Sequence, residues 1–188
     1  MRPVKVADEQ VFARLMDVFR EKGYEGTSYG DLMAATGLVK ASLYHRFPGG
    51  KEEMVDAILS QVDRKFVEHV LRPAQEKGPL KQRARQMARR LGEFYGSGKR
   101  WCLLDTLTLA SNARTLEHAK RSMESWIESF ARVGREAGLP AALARRRAED
   151  AVAAIEGGLI VSRVMKNRRP FLRALAVLPS RLTKRVGI

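Results

Sequence analysis

TSYGDLMAATGLVKASLYHRF, residues 27–47, is the stretch that decides the fold. Thr27 or Ser28 can cap a helix whose inward face is Leu32, Met33 and Ala35. Asp31 follows at the spacing where a carboxylate closes a reciprocal capping contact. Gly37 supplies a tight turn, and a second helix then runs to about Arg46 with Leu38, Leu43 and Phe47 inward. Lys40, Ser42, Tyr44 and His45 lie along that second helix. Two short helices joined in this way predict a helix-turn-helix, in which the second helix lies in the DNA major groove and the first crosses the backbone.

The neighbouring segments extend the helical pattern. On the N-terminal side Val11, Phe12, Leu15, Met16 and Phe19 form one stripe, which Gly23 ends. On the other side Phe47-Pro-Gly-Gly breaks the motif and Lys51 opens a long fourth helix. Its stripe is Met54, Val55, Ile58, Leu59, Val62, Phe66, Val67, Val70 and Leu71. Pro73 and the Gly78-Pro79 pair punctuate its end. A fifth helix is expected from about Leu80 to Tyr95, GSGKR (residues 96–100) reads as a flexible linker, and WCLLDTLTLAS (residues 101–111) is a short apolar helix. Leu116, Ala119, Met123, Trp126, Ile127, Phe130 and Val133 mark another, closed by Gly138. Pro140 suits the first position of the next, which runs to about Lys166, and Pro170 starts a last one through Leu178. No stretch alternates apolar and polar residues with β-branched enrichment. The expected fold is all-α: an N-terminal three-helix helix-turn-helix domain (residues 4–64) joined by a long helix to a C-terminal helical bundle (residues 65–188), about nine helices in all.

Composition narrows the function. With 45% apolar residues among 188, a packed interior is available. No apolar run nears the roughly 18–20 residues that span a bilayer, and MRPVKVADEQ lacks the apolar core of a secretory signal. A cytoplasmic, nucleoid-associated protein is expected. Cys102 is the only cysteine, which excludes an intrachain disulfide and a cysteine zinc cage. His45, His69 and His118 are scattered, so neither metal nor cofactor is expected. Neither a phosphate-cradling glycine loop nor a nucleophile beside a plausible base occurs, which argues against an enzyme. The net charge of +14 favours polyanionic partners. Residues 1–50 are nearly neutral, however, so the basic excess lies mostly outside the motif, and a solvated Arg-rich surface accounts for it as well as a second anionic partner would.

The run from Gly23 to Met54, GYEGTSYGDLMAATGLVKASLYHRFPGGKEEM, resembles the signature of TetR-type bacterial transcriptional regulators. The matching features are a glycine and aromatic ending helix one, the Thr-Ser cap, Asp-Leu in helix two, Gly37 at the turn, Leu-Tyr-His in helix three, then Phe-Pro and Lys-Glu. The likeness covers about residues 7–60, and the ending IEGGLIVSRVMKNRRPFLRALAVLP (residues 155–179) looks like the family's last two helices. Met33, Val39 and Ala41 depart from the common alanine, serine cap and glycine. The resemblance implies a homodimer that binds a double-stranded DNA operator through its N-terminal domain and a small-molecule inducer through its C-terminal domain, with no membrane partner.

Residue by residue, Lys40 and Ser42, with Ala41 between them, are candidates for base readout. Tyr44 and His45 match family positions that hold the DNA backbone, although ordinary surface packing explains them equally when taken alone. Thr27, Ser28 and Tyr29 sit where the positive end of a helix meets a phosphate, and Lys51 opens the fourth helix in the same way. For dimerisation, Ala151, Ile155, Gly158, Leu159 and Ser162 form one small-residue face, and Phe171 and Leu175 another; an intrachain core is the alternative. For the inducer, Phe66, Trp101, Cys102, Met123, Trp126 and Phe130 offer a hydrophobic cavity or simply a core. Asp105 in an apolar helix is salt-bridged, ligand-facing or on a solvent edge. Two rival functions remain: a non-specific basic nucleic-acid binder using Arg163–Arg185, and a ligand-binding relative that has lost DNA binding.

Overall fold

In a computed structural model, the chain is described over residues 8–108 and 113–184, excepting the side chains of residues 8, 105, 108, 113 and 114. Nine α-helices occur among these residues: α1 Asp8–Lys22, α2 Tyr29–Thr36, α3 Lys40–Arg46, α4 Gly50–Phe66, α5 Leu80–Phe94, α6 Leu103–Thr108, α7 Ala113–Glu136, α8 Ala141–Val164 and α9 Arg169–Thr183. None is long and apolar enough to cross a membrane. The fold is all-α, as expected.

The chain divides into two compact units. Among the described residues, those up to 62 and from 103 to 119 form one, and the rest the other. The N-terminal unit is built on Leu15, Phe19, Leu32, Leu43, Met54 and Ile58, and α6 adds Leu103 and Leu107 to that core. Gly23 lies against Thr106, where an added Cβ would sit 3.6 Å from the carbonyl oxygen. Sequence reading grouped α6 with the C-terminal bundle. A short apolar helix fits either core, and periodicity does not say which one it joins.

In the C-terminal unit α8 and α9 pack closely. A Cβ on Gly158 would lie 3.0 Å from the Phe171 Cα, so a larger residue would push the two helices apart by a few tenths of an ångström. Three local expectations change here. After Phe66 a single π turn, Val67–Leu71, turns Val67 outward while Val70 and Leu71 stay buried. GSGKR is a tight turn rather than a loose linker, because Gly98 (φ 85°) is packed against the Phe171 ring. Finally, α9 runs through Pro179 to Thr183. Burial of Leu178 and Leu182 draws the helix onward, and Arg147 donates to the Arg181 and Lys184 carbonyls at its end.

Arg83 organises the start of this unit. It is buried and donates through Nε to the Pro73 carbonyl (2.9 Å), through a second nitrogen to that of Ala74, and through Nη1 to Glu136 (2.5 Å). The guanidinium, then Arg132, holds the Glu136 carboxyl below the usual carboxylate range.

Candidate nucleic-acid interface and effector site

The motif is fixed by local polar contacts. Ser28 caps α2: its Oγ accepts from the Asp31 backbone N–H (3.1 Å), while Asp31 Oδ2 accepts from the Ser28 N–H (2.9 Å). Lys22 at the end of α1 reaches the same carboxylate at 2.5 Å. Lys22, then Ser28, hold the Asp31 carboxyl well below the usual carboxylate range. Arg14 of α1 donates to the Thr36 carbonyl at 3.2 Å, tying down the far end of α2. Gly37 then takes the left-handed conformation (φ 72°) that the turn requires. Val39 stands at the N-cap of α3 with no side-chain cap, as its replacement of serine predicts.

On α3 the side chains of Lys40, Ala41, Tyr44 and His45 are exposed and Ser42 is half-buried, with Leu43 inward. Tyr44 stacks on Tyr29 of α2, ring centroids 5.2 Å apart and planes at 16°. The Lys40 ammonium lies 5.3 Å from the Tyr29 ring centre and 5.9 Å from that of Tyr44. The two aromatic faces thus place this cation at the start of α3. Burial and a hydrogen bond with Tyr44 push the Tyr29 phenol up to about 12.

Two expected phosphate ligands are placed differently. Thr27 is 1% exposed and its hydroxyl donates to the Gly23 carbonyl at 2.5 Å, so it braces the loop after α1. Lys51 donates to the carbonyls of Tyr24 and Thr27, both at 2.9 Å, and lies 4.5 Å from the Tyr24 ring centre. Its ammonium is a strut between the start of α4 and the loop before α2. Sequence reading also passed over Gly50. This buried residue has φ 67°, and a Cβ there would meet the Tyr29 hydroxyl at 2.7 Å.

In the C-terminal unit the expected effector residues separate. Phe66, Trp126 and Phe130 come together: Phe66 is 5.0 Å from Trp126 and Trp126 is 5.9 Å from Phe130, both edge-on. Phe94 extends the row beyond Phe66 at 5.1 Å. Met123 is half-buried on the same helix as Trp126. Trp101 instead lies under the Arg163 guanidinium at 5.7 Å, and Cys102 is buried and outside any disulfide. The Asp105 side chain lies outside the described residues. A shallow groove of about 300 Å³ that sequence gave no sign of runs between α5 and α9, with Lys81 and Arg85 on its rim and Leu175 and Pro179 among its lining.

The residues expected at a dimer surface are covered within the single chain. Ala151, Ile155, Gly158, Leu159, Ser162, Phe171 and Leu175 are all buried, and Ser162 Oγ accepts from the Phe171 N–H at 3.2 Å. Gly158 and Ser162 meet Phe171 in the α8–α9 seam, and the others are covered by the chain's own packing. The outward sides of the same helices carry Val161, Val164 and Met165 on or just after α8 and Leu172 and Val177 on α9, all exposed.

No group of three or more His, Cys, Asp or Glu able to hold a metal occurs among the described residues. Comparison with known proteins bears on both units. Residues 13–58 match the family described as bacterial regulatory proteins, tetR family. Residues 80–177 match the C-terminal domain described as transcriptional regulator LmrA/YxaF-like. The HTH-type transcriptional regulator YxaF of Bacillus subtilis is 25% identical over 183 residues, covering 94% of this chain and 95% of its own. A TetR transcriptional regulator from Legionella pneumophila superposes with a TM-score of 0.84 at 20% identity, covering 97% of this chain and all of that one. The TetR-family regulator CifR, solved as a cysteine mutant with 26-bp double-strand operator DNA, gives 0.76 at 21% identity over 97% and 99% of the two chains.

Proposed function

From the premise that the chain belongs to the TetR family of helix-turn-helix transcriptional regulators, with an LmrA/YxaF-like C-terminal domain, we propose that it acts as a homodimeric repressor. Two copies bind a pseudo-palindromic operator, and a small hydrophobic inducer releases them. The observation that carries this reading is the outward edge of α3. Its exposed Lys40, Ala41, Tyr44 and His45 stand on a scaffold whose capping groups are already occupied within the chain. Lys40 and Ser42 read base edges; Tyr44, His45 and Tyr29 hold phosphates, while Ser28 stays in the α2 cap with Asp31. Thr27 and Lys51 keep the loop in place behind them.

A single motif makes few contacts, so twofold duplication supplies affinity and half-site spacing. The surface for it is the outward side of α8 and α9. Ala154, Gly157, Val161 and Val164 recur at helical spacing there, and a Cβ on Gly157 would meet nothing within 4 Å, leaving room for a partner backbone. Val177 continues the strip on α9.

The inducer occupies the aromatic row around Trp126. The chain passes between its two units within α4, ahead of α6 and within α7. Ligand-driven changes at Phe66 or Trp126 therefore have covalent routes into the N-terminal unit, and they shift the population away from the DNA-binding arrangement. Selecting bound fragments from random duplex DNA tests the reading. A recurrent inverted repeat is expected, and a set of unrelated fragments whose binding vanishes with salt marks a non-specific binder instead.

A further inference from the structure

Trp126 holds a polar group that the packing around it leaves unused. The side chain is 2% exposed, and its indole N–H has no hydrogen-bond partner among the described residues. Buried donors in folded proteins are nearly always paired, and leaving one unpaired costs most of the desolvation of that group. The neighbours explain the vacancy. Phe66 and Phe130, the rings that touch Trp126, carry no acceptor. The nearby carboxylate is otherwise engaged: Ser122, one turn before Trp126 on α7, donates to Asp63 at 2.5 Å, and Asp63 stands three residues before Phe66 on α4. The two helices thus meet through a polar rung, Asp63–Ser122, and an aromatic rung, Phe66–Trp126, and the N–H on the second rung is idle.

We propose that Trp126 Nε1–H is the donor that fixes an oxygen acceptor of the inducer. The ligand class follows from the donor. An indole N–H is single, neutral and directional, so it orients one carbonyl or ether oxygen, does not neutralise a carboxylate and disfavours a cation. The flanking rings take flat apolar surface edge-on. The occupant is a compact, neutral aromatic carrying one acceptor oxygen. A hydrocarbon of the same shape fits but leaves the donor unpaired, and sites of that kind reject the analogue lacking the polar group. This inference rests on the inducer reading above in taking the occupant to be a diffusible small molecule.

Acetophenone and its hydrocarbon isostere α-methylstyrene are the probes, each titrated into the full chain and into Trp126→Phe. The ketone-to-hydrocarbon affinity ratio is expected to fall about tenfold in Trp126→Phe, the order of one hydrogen bond made in a dry site. In the unmutated chain, the Trp126 indole N–H resonance, assigned against Trp101→Phe, is expected to move downfield with the ketone and stay with the hydrocarbon; this readout does not require the Trp126 variant to fold. Failure of the ketone to bind, or an unmoved indole resonance with an unchanged ratio, overturns the inference. Operator affinity in the same samples separates the two readings. Ketone held at Trp126 with unaltered DNA binding keeps the donor assignment and removes the inducer role. Altered DNA binding with a silent indole does the reverse.

Discussion

The outer edge of α2 and α3 and the aromatic row of the C-terminal unit use polar atoms in opposite ways. At the motif, the side chains that look like ligands for an outside partner are largely committed to the chain: Ser28 to Asp31, Thr27 to Gly23, Lys51 to two carbonyls. What remains open is a thin outer rim on α3. In the C-terminal unit the most deeply placed cation, Arg83, is fully engaged, whereas the buried Trp126 N–H is not. Polar groups with internal partners build scaffold, and those without are where we propose that something else binds. Exposure alone does not separate the two, because Lys51 is half-buried at the motif while Trp126 is sealed in the interior.

The contrast is broken most severely at Arg83. Replacing it by Met leaves the Pro73 and Ala74 carbonyls without their buried donor and Glu136 with Arg132 alone. We expect a loss of about 2–4 kcal/mol of unfolding free energy by urea titration, mostly from the two unpaired carbonyls. A variant within 1 kcal/mol of the parent would show that Arg83 is not the scaffold described.

Next in size is Gly50→Ala. The positive φ and the Tyr29 hydroxyl oppose any side chain there. About 1–3 kcal/mol of stability should be lost, together with operator affinity, although Gly50 offers DNA nothing but backbone. Binding that survives intact would separate the Tyr29–Tyr44 stack from DNA recognition.

Lys51→Met sharpens the distinction between strut and phosphate ligand. The loss of two charge-assisted bonds should weaken operator binding while leaving the salt slope of log K unchanged. A direct phosphate contact would instead lower that slope by roughly one. Lys40→Ala is the paired control on the rim, where a change in slope or base preference is expected.

The smallest effect is alkaline. Because folding raises the Tyr29 phenol from 10.0 to about 12, its contribution is complete below pH 10 and fades as pH climbs to 12. Tyr29→Phe should flatten stability over that window, and an unchanged slope would assign it to another tyrosine.

These differences also explain what was readable in the sequence. The motif was legible because its determinants are local: the cap at Ser28, the left-handed glycine at position 37, and apolar spacing through Leu32 and Leu43. The buried role of Thr27 and the strut at Lys51 were not, since both depend on carbonyls brought together by the loop before α2. In the other unit, Arg83 reads as one of several arginines on α5, and only three-dimensional packing singles it out. The last two helices displayed their small residues correctly but not their direction. Gly158 and its neighbours face α9 within one chain, and the exposed valines lie on the other side.

The central claim, that two copies present α3 to one operator, is tested most directly by sedimentation of the chain with a selected duplex at physiological salt, in competition with a scrambled duplex. The account predicts a complex of two chains, or a multiple of two, on an inverted repeat, preferred over the scrambled sequence by at least about 10³-fold. A single chain on the duplex, or equal binding to both sequences, would contradict it.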